Sequence, residues 1–223
     1  MIRPGSEWGT PTDESPLVTV TGHDHDLAAR LAAPGPSEVS PLVRFVPRGS
    51  DLARAVGLLP TDPDPDRPTR GIALPLDAIG TDRGPAVNSV VMGPAPDRLR
   101  RWHRAGPLQV TVDGREVFAG EATTVVVMNG QYLGGADLAP RGHPGDGRLE
   151  VQVYAMTAGE RAAMRRRLPL GTHVPHPRIL TGTGREIRIE AGRTRPVALD
   201  GHDAGSVATL AVRVRPGAFR LLL

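Results

Sequence analysis

Five short stretches carry the side chains through which this chain could do chemistry. Gly22-His23-Asp24-His25-Asp26 sets two imidazoles two residues apart, on one side of an extended segment. Such a pair could ligate a metal ion. The plainer alternative is a polar turn in which Asp26 caps the helix that follows. Pro47-Arg48-Gly49-Ser50-Asp51 ends an apolar run and precedes Leu52-Ala53-Arg54-Ala55, so Ser50 reads as the cap of a second helix. Asp77 interrupts the apolar run Ile72 to Ile79, where a lone carboxylate is costly unless it is paired or sits at an exposed strand end. Asp146, between Gly145 and Gly147, would either cap backbone N–H groups or bind a divalent ion beside neighbouring carbonyls. Asp200-Gly201-His202 adds an imidazole able to act as a general base near neutral pH. The chain has no cysteine, which removes thiolate nucleophiles, thiolate metal sites and disulfides together.

The elements that must position these residues are mostly short strands. Leu17 to Thr21 alternates as a strand and leads through the His23–Asp26 turn into a helix with Leu27, Ala28 and Leu31. Residues 33–40 read as a loop, Leu42 to Val46 as a strand, and Thr61 to Arg70 as a solvated Pro/Asp linker. Ile72 to Ile79 and Ala86 to Met92 follow as strands, and Asp97 to Arg104 as a short basic helix. Leu108 to Val112 and Glu116 to Ala119 pair through an Asp113-Gly114 turn. Val125 to Met128 is a buried strand. Beyond it Gly134, Gly135 and Pro140 hold an irregular path, and Asp146-Gly147 turns into the alternating strand Arg148 to Tyr154. Thr157-Ala158-Gly159-Glu160 is a capping box opening a helix that ends in Arg165-Arg166-Arg167. A solvated helix end, favourable through the helix dipole, and a headgroup-binding patch explain that run equally well. Glu186 to Glu190, Arg195 to Leu199 and Val207 to Val214 complete the pattern.

This order predicts an α+β fold: a leader over residues 1–16, a reduced α/β unit over 17–78, and a C-terminal antiparallel β-sandwich over 79–223. With 39% hydrophobic but only 3% aromatic residues, the core must be built from Val, Leu, Ala and Ile. The 27 Gly and 23 Pro among 223 residues make the chain loop-rich yet still globular. Residues 1–16 lack the apolar stretch of a secretion signal, and no window reaches the roughly 18 apolar residues of a membrane span, so the expected location is cytoplasmic. The net charge is only +3, carried by Arg without Lys, which argues against a dedicated nucleic-acid binder.

A strand ending in Asn129-Gly130, then Tyr132, Gly134, Gly135, Pro140 and Asp146-Gly147-x-Leu149-x-Val151, resembles the C-terminal domain of the bacterial diacylglycerol kinase-like lipid kinases. Asp200-Gly201 after Pro196 to Leu199, and Val214-x-Pro216-Gly217-Ala218-x-x-Leu221, resemble that domain's last strands. The resemblance implies that Gly22 and Asp24 stand in the phosphate loop. It implies that Gly49, Ser50 and Asp51 stand in a second nucleotide-binding turn, and that Asp77, Asp200 and His202 stand at the catalytic centre. It also implies ATP and Mg²⁺ as cofactors.

The chain departs from that family where chemistry needs it most. The Gly-Gly-Asp-Gly-Thr loop keeps only Gly22 and Asp24, and His23, His25 and Asp26 bring bulk and negative charge where phosphate requires bare backbone. The Pro-x-Gly-Thr-x-Asn-Asp turn is shortened by two residues. The Glu of Asp-Gly-Glu, the proton acceptor in the family, is His202. The family's first nucleotide-domain strands are expected to be missing. Three readings follow: a non-catalytic relative whose cleft binds a lipid, another small molecule or a protein partner; a working, diverged lipid kinase; and a cleft repurposed for other small-molecule chemistry through His202 and Asp77, with metal-binding by His23 and His25 open. ATP affinity is expected to be too weak to matter in cells. Association with a membrane surface and homo-oligomer formation are both compatible with the sequence, and nucleic acid is not an expected partner.

Overall fold

The computed structural model describes residues 8–32, 40–58 and 71–223. The Thr61 to Arg70 linker and nearly all of the 33–40 loop lie outside them. The order is β1 (Thr10–Thr12), β2 (Val18–Gly22), α1 (Asp24–Ala32), β3 (Leu42–Pro47), α2 (Asp51–Ala55), β4 (Gly71–Thr81), β5 (Gly84–Ala86), β6 (Ser89–Met92), β7 (Gly106–Val112), β8 (Arg115–Ala122), β9 (Thr124–Met128), β10 (Tyr132–Leu133), β11 (Ala136–Asp137), β12 (Leu149–Tyr154), α3 (Glu160–Arg167), β13 (Ile179–Gly184), β14 (Glu186–Leu199) and β15 (His202–Leu222). The fold is mostly antiparallel sheet with few helices, as the strand pattern predicts.

β2 and β3 run parallel, as a strand–helix–strand unit demands, and β3 lies parallel to the end of β15. β15 is therefore shared. Its first part pairs with β14, and the whole of it from Val212 pairs with β4, across a bulge at Pro216-Gly217 that lets one long strand turn from sandwich to α/β unit. Leu27, Phe45, Leu52, Leu76 and Phe219 form the α/β core. Ile79, Val110, Val127, Val151, Ile189 and Val212 form the core of the sandwich. Leu99, Met128, Tyr154, Met164 and Leu168 form a third, beneath α3.

Several expectations need correction. The leader read over 1–16 contains a strand, because Thr10–Thr12 pairs with Gly71, Ile72 and Ala73 of β4. A boundary at 78/79 falls inside β4, which is one strand. Arg195 to Leu199 is not a separate strand but the second half of β14, reached through a bulge after Glu190. Asp97 to Arg104 is not a helix beyond the short turn Pro96–Arg98. Carbonyls of this stretch bind α3 side chains: Leu99 accepts from Arg165, and Arg100 and His103 accept from Arg161.

Candidate functional site

The first turn of α1 builds one wall of the site. Gly22 sits at φ 147°, and a Cβ there would overlap the Asp26 carboxylate, so only glycine fits. Asp26 is not the helix cap expected of it. His23 is, its carbonyl accepting from the N–H groups of Asp26 and Leu27 (3.1 and 3.3 Å), while Asp26 reaches back from inside the helix to accept the His23 N–H at 2.8 Å. That bond holds the Asp26 carboxyl below its ordinary range.

Asp24, the first residue of α1, is buried and turns to the second strand-to-helix turn. It accepts the Ser50 hydroxyl and the N–H groups of Asp51 and Leu52 (3.1 and 3.2 Å). Burial pushes its pKa up against those bonds. Gly49 supplies the positive φ of 75° before Ser50, which caps α2 by accepting from Ala53 N–H at 2.8 Å. Asp51 then crosses to the sandwich, accepting from Gly134 and Gly135 N–H (2.6 and 2.9 Å) in the β10–β11 turn. Arg54 completes this latch with a bond to the Gly135 carbonyl and its guanidinium 4.4 Å from the Tyr132 ring centre.

Asp200 closes the site from the β14–β15 turn. Its φ of 47° aims the carboxylate inward, where it accepts three successive N–H groups, from Val87, Asn88 and Ser89, at 2.7, 2.9 and 2.8 Å. Burial, with the Asp24 charge adding to it, still pushes this carboxyl up to about 7. Two residues on, the exposed His202 ring stacks on His25. His25 also meets Asp26 at 3.1 Å, and its ring lies 5.9 Å from that of His23. Burial, and then the His202 ring, hold its pKa below the imidazole range. A cleft of about 290 Å³ has His25, Arg83, Asp200 and His202 in its lining.

Asp77 belongs to a different grouping. Buried in β4, it accepts from Gly147 N–H at 2.6 Å and Gly217 N–H at 2.8 Å, clamping two loops of the sandwich. Burial raises its pKa. Its contacts do not include His202, so the structure gathers Gly22, Asp24, His25, Gly49, Ser50, Asp51, Asp200 and His202 around the two strand-to-helix turns and leaves Asp77 in the clamp beside Gly147. Asp146 accepts the Arg148 N–H at 2.9 Å, closing an Asx turn.

Two asparagines to which the sequence assigns no role at the site join these groupings. Asn129 donates to the carbonyls of Asp77 and Val87, and Asn88 donates to that of Tyr132. Both side-chain oxygens are buried without a partner among the described residues. The signal was present: an amide at the end of an apolar run has no water to bond and must bind backbone.

A resident Mg²⁺ does not suit these side chains. The carboxylates of Asp24, Asp77 and Asp200 are engaged by N–H donors, and among the described residues no three His, Asp or Glu side chains gather so as to hold a metal ion. Nor is any helix among the described residues long and apolar enough to cross a membrane.

Comparison with known proteins places this arrangement. Residues 94–223 match the YegS C-terminal NAD kinase beta sandwich-like domain. No curated protein sequence matches the chain. Among solved structures, a protein from Bacillus anthracis str. Sterne described as a diacylglycerol kinase superposes with a TM-score of 0.72 at 18% identity, over 92% of this chain and 77% of that one. Another diacylglycerol kinase structure from that strain gives 0.68 at 19% identity, over 92% and 75%. Yeast NADH kinase complexed with NADH gives 0.52 at 11% identity, over 92% and 62%. At such identities the likeness is one of fold.

Proposed function

We propose, given that the chain belongs to the family of the YegS C-terminal NAD kinase beta sandwich-like domain, that it is a diacylglycerol kinase-like protein whose cleft binds a lipid, another small molecule or a partner without efficient ATP-dependent phosphorylation. One observation carries this reading. Backbone donors in both strand-to-helix turns are taken by the chain's own carboxylates: His23 N–H by Asp26, and Asp51 and Leu52 N–H by Asp24. A nucleotide phosphate bound at a helix start needs those donors free. Here it would have to displace a carboxylate and then sit beside that negative charge, with the His25 and His202 rings stacked alongside.

Space for a ligand remains. Besides the cleft beside His202, a cavity of about 790 Å³ lies between Pro140-Arg141, the β12–β13 edge and the 174–177 loop. That is within the usual range of small-molecule sites, and Val174, Pro175 and Ile179 make its wall apolar beside Glu150, whose pKa burial raises. One observation favours the alternative of a repurposed catalytic cleft: Asp200, pushed up to about 7 by burial, shares the lining of that cleft with the His202 imidazole. Titration calorimetry with ATP and Mg²⁺ tests the main reading. The expected result is no saturable heat. Saturable binding in the micromolar range, or stabilisation by about 2.7 kcal/mol at 100 times Kd, overturns it.

A further inference from the structure

Far along the chain from these turns, two arginine-rich segments are folded onto one another. The loop after β6 carries Arg98, Arg101 and Arg104 exposed, and α3 ends in Arg166 and Arg167, also exposed. What joins them is a pair of further arginines. Arg161 is buried and donates to the carbonyls of Arg100 (2.9 Å), His103 (2.6 Å) and Met156 (3.1 Å), and Arg165 donates to that of Leu99. Carbonyls, with no carboxylate among them, are thus the partners found for Arg161, so its charge adds to the surface potential instead of being cancelled. The ring of His103 registers this, its pKa held low by burial and then by Arg161 and Arg100. The acids nearby do little to offset the field: Asp97 meets Arg98 only at 3.9 Å, and Glu160 is paired with Arg178.

Trp102 projects from the centre of the loop, 69% exposed, and Leu170, in the turn that follows α3, is 73% exposed. An exposed Leu alone means nothing. A tryptophan in solvent, flanked in sequence by Arg101 and Arg104, is different: its ring is apolar at one end and donates a hydrogen bond at the other, which suits the headgroup layer of a bilayer.

We infer that this loop and the end of α3 form a docking surface for an anionic lipid membrane, with Trp102 entering the headgroup layer and the exposed arginines facing lipid phosphates. Clustered basic side chains are drawn to a negative leaflet, and an interfacial aromatic adds apolar burial. A nucleic-acid partner is the weaker match. Single-stranded chains are bound on successive aromatic platforms, whereas this surface offers one tryptophan in a chain only 3% aromatic. The inference does not depend on what the cleft binds, since docking is read without any cleft ligand.

Co-sedimentation of the full chain with vesicles tests it, comparing pure phosphatidylcholine with a mixture containing about one-third phosphatidylserine. Binding is expected only to the mixture, and to weaken as salt screens the charges. The double variant Arg101→Glu/Arg104→Glu should bind more than about 25-fold less tightly, taking roughly fivefold for each arginine lost at the surface. Trp102→Ala should weaken binding several-fold, and in a Trp8→Phe background the emission of Trp102 should shift to the blue on adding the mixed vesicles. Arg213→Glu, on β15, serves as the control and should bind as the parent does. Circular dichroism should show all four variants folded as the parent is. Equal binding to both vesicle types, no binding to either, unchanged binding by the arginine double variant, or an oligonucleotide bound more tightly than the vesicles and displacing them would each overturn the inference.

Discussion

The imidazole rings of His25 and His202 lie face to face, their centres 3.3 Å apart and their planes 26° from parallel. One belongs to the first turn of the chain's first helix, the other to the start of its last strand. Their contact sets the α/β unit against the β14–β15 turn at the mouth of the cleft. It also has an electrostatic consequence, because a protonated ring disfavours a proton on its neighbour.

Replacing His202 should therefore release His25. Burial and then the His202 ring depress the His25 pKa. A base depressed in the folded state binds fewer protons there than when unfolded, so stability falls as pH drops from about 6.5, the ordinary imidazole value, through the lowered one. In His202→Ala the His25 pKa, followed by NMR, should move up and the acid-side loss of melting temperature should shrink. An unmoved His25 titration would show that burial alone sets it.

Asp200 should give the opposite slope. Its folded pKa of about 7 lies above the unfolded carboxylate value, so its contribution to stability is complete at low pH and is lost as pH rises through 7. Asp200→Asn cannot titrate. The melting temperature of the parent relative to this variant should fall between pH 5 and pH 8.5; a flat difference would mean that Asp200 is ionised throughout.

Asp77→Ala should cost stability where His202→Ala does not. Removing the carboxylate leaves the N–H groups of Gly147 and Gly217 without their acceptor beside a buried strand, an expected loss of about 3 kcal/mol in urea unfolding. His202 is exposed, and its loss should cost less than about 0.5 kcal/mol. Comparable losses in the two variants would contradict the clamp.

Asp51→Ala should loosen a contact without unfolding the chain. Water can reach the Gly134 and Gly135 N–H groups once Asp51 is gone, so global stability should drop by only about 1 kcal/mol. Amide exchange at those two glycines should nonetheless speed up at least several-fold. Unchanged exchange would mean that the β10–β11 turn holds itself.

What could be read from the sequence was local. The Asp113-Gly114 hairpin and the alternation of Leu149, Val151 and Val153 each depend on neighbours in the chain, and each forms as written. Ser50 as a helix cap belongs with them. The resemblance to the lipid kinases was legible for the same reason, since glycines and turns mark backbone conformation directly. The Thr157/Glu160 box forms only in part: Glu160 reaches back to the Thr157 N–H, but the Thr157 hydroxyl donates to that same carboxylate and α3 begins at Glu160 without a side-chain cap. Tertiary structure decided the rest. Thr10–Thr12 has no strand signal of its own and is a strand only because the edge of β4 offers it partners. Asp97 to Arg104 looks helical, yet its carbonyls find guanidinium groups on α3 more than 50 residues away. Every site aspartate is equally ambiguous in sequence, because a carboxylate that could hold a metal ion or a proton could equally fill a cluster of backbone N–H groups. Which it does depends on which donors the fold brings within about 3 Å. For Asp24, Asp51, Asp77 and Asp200 those donors come from other segments of the chain.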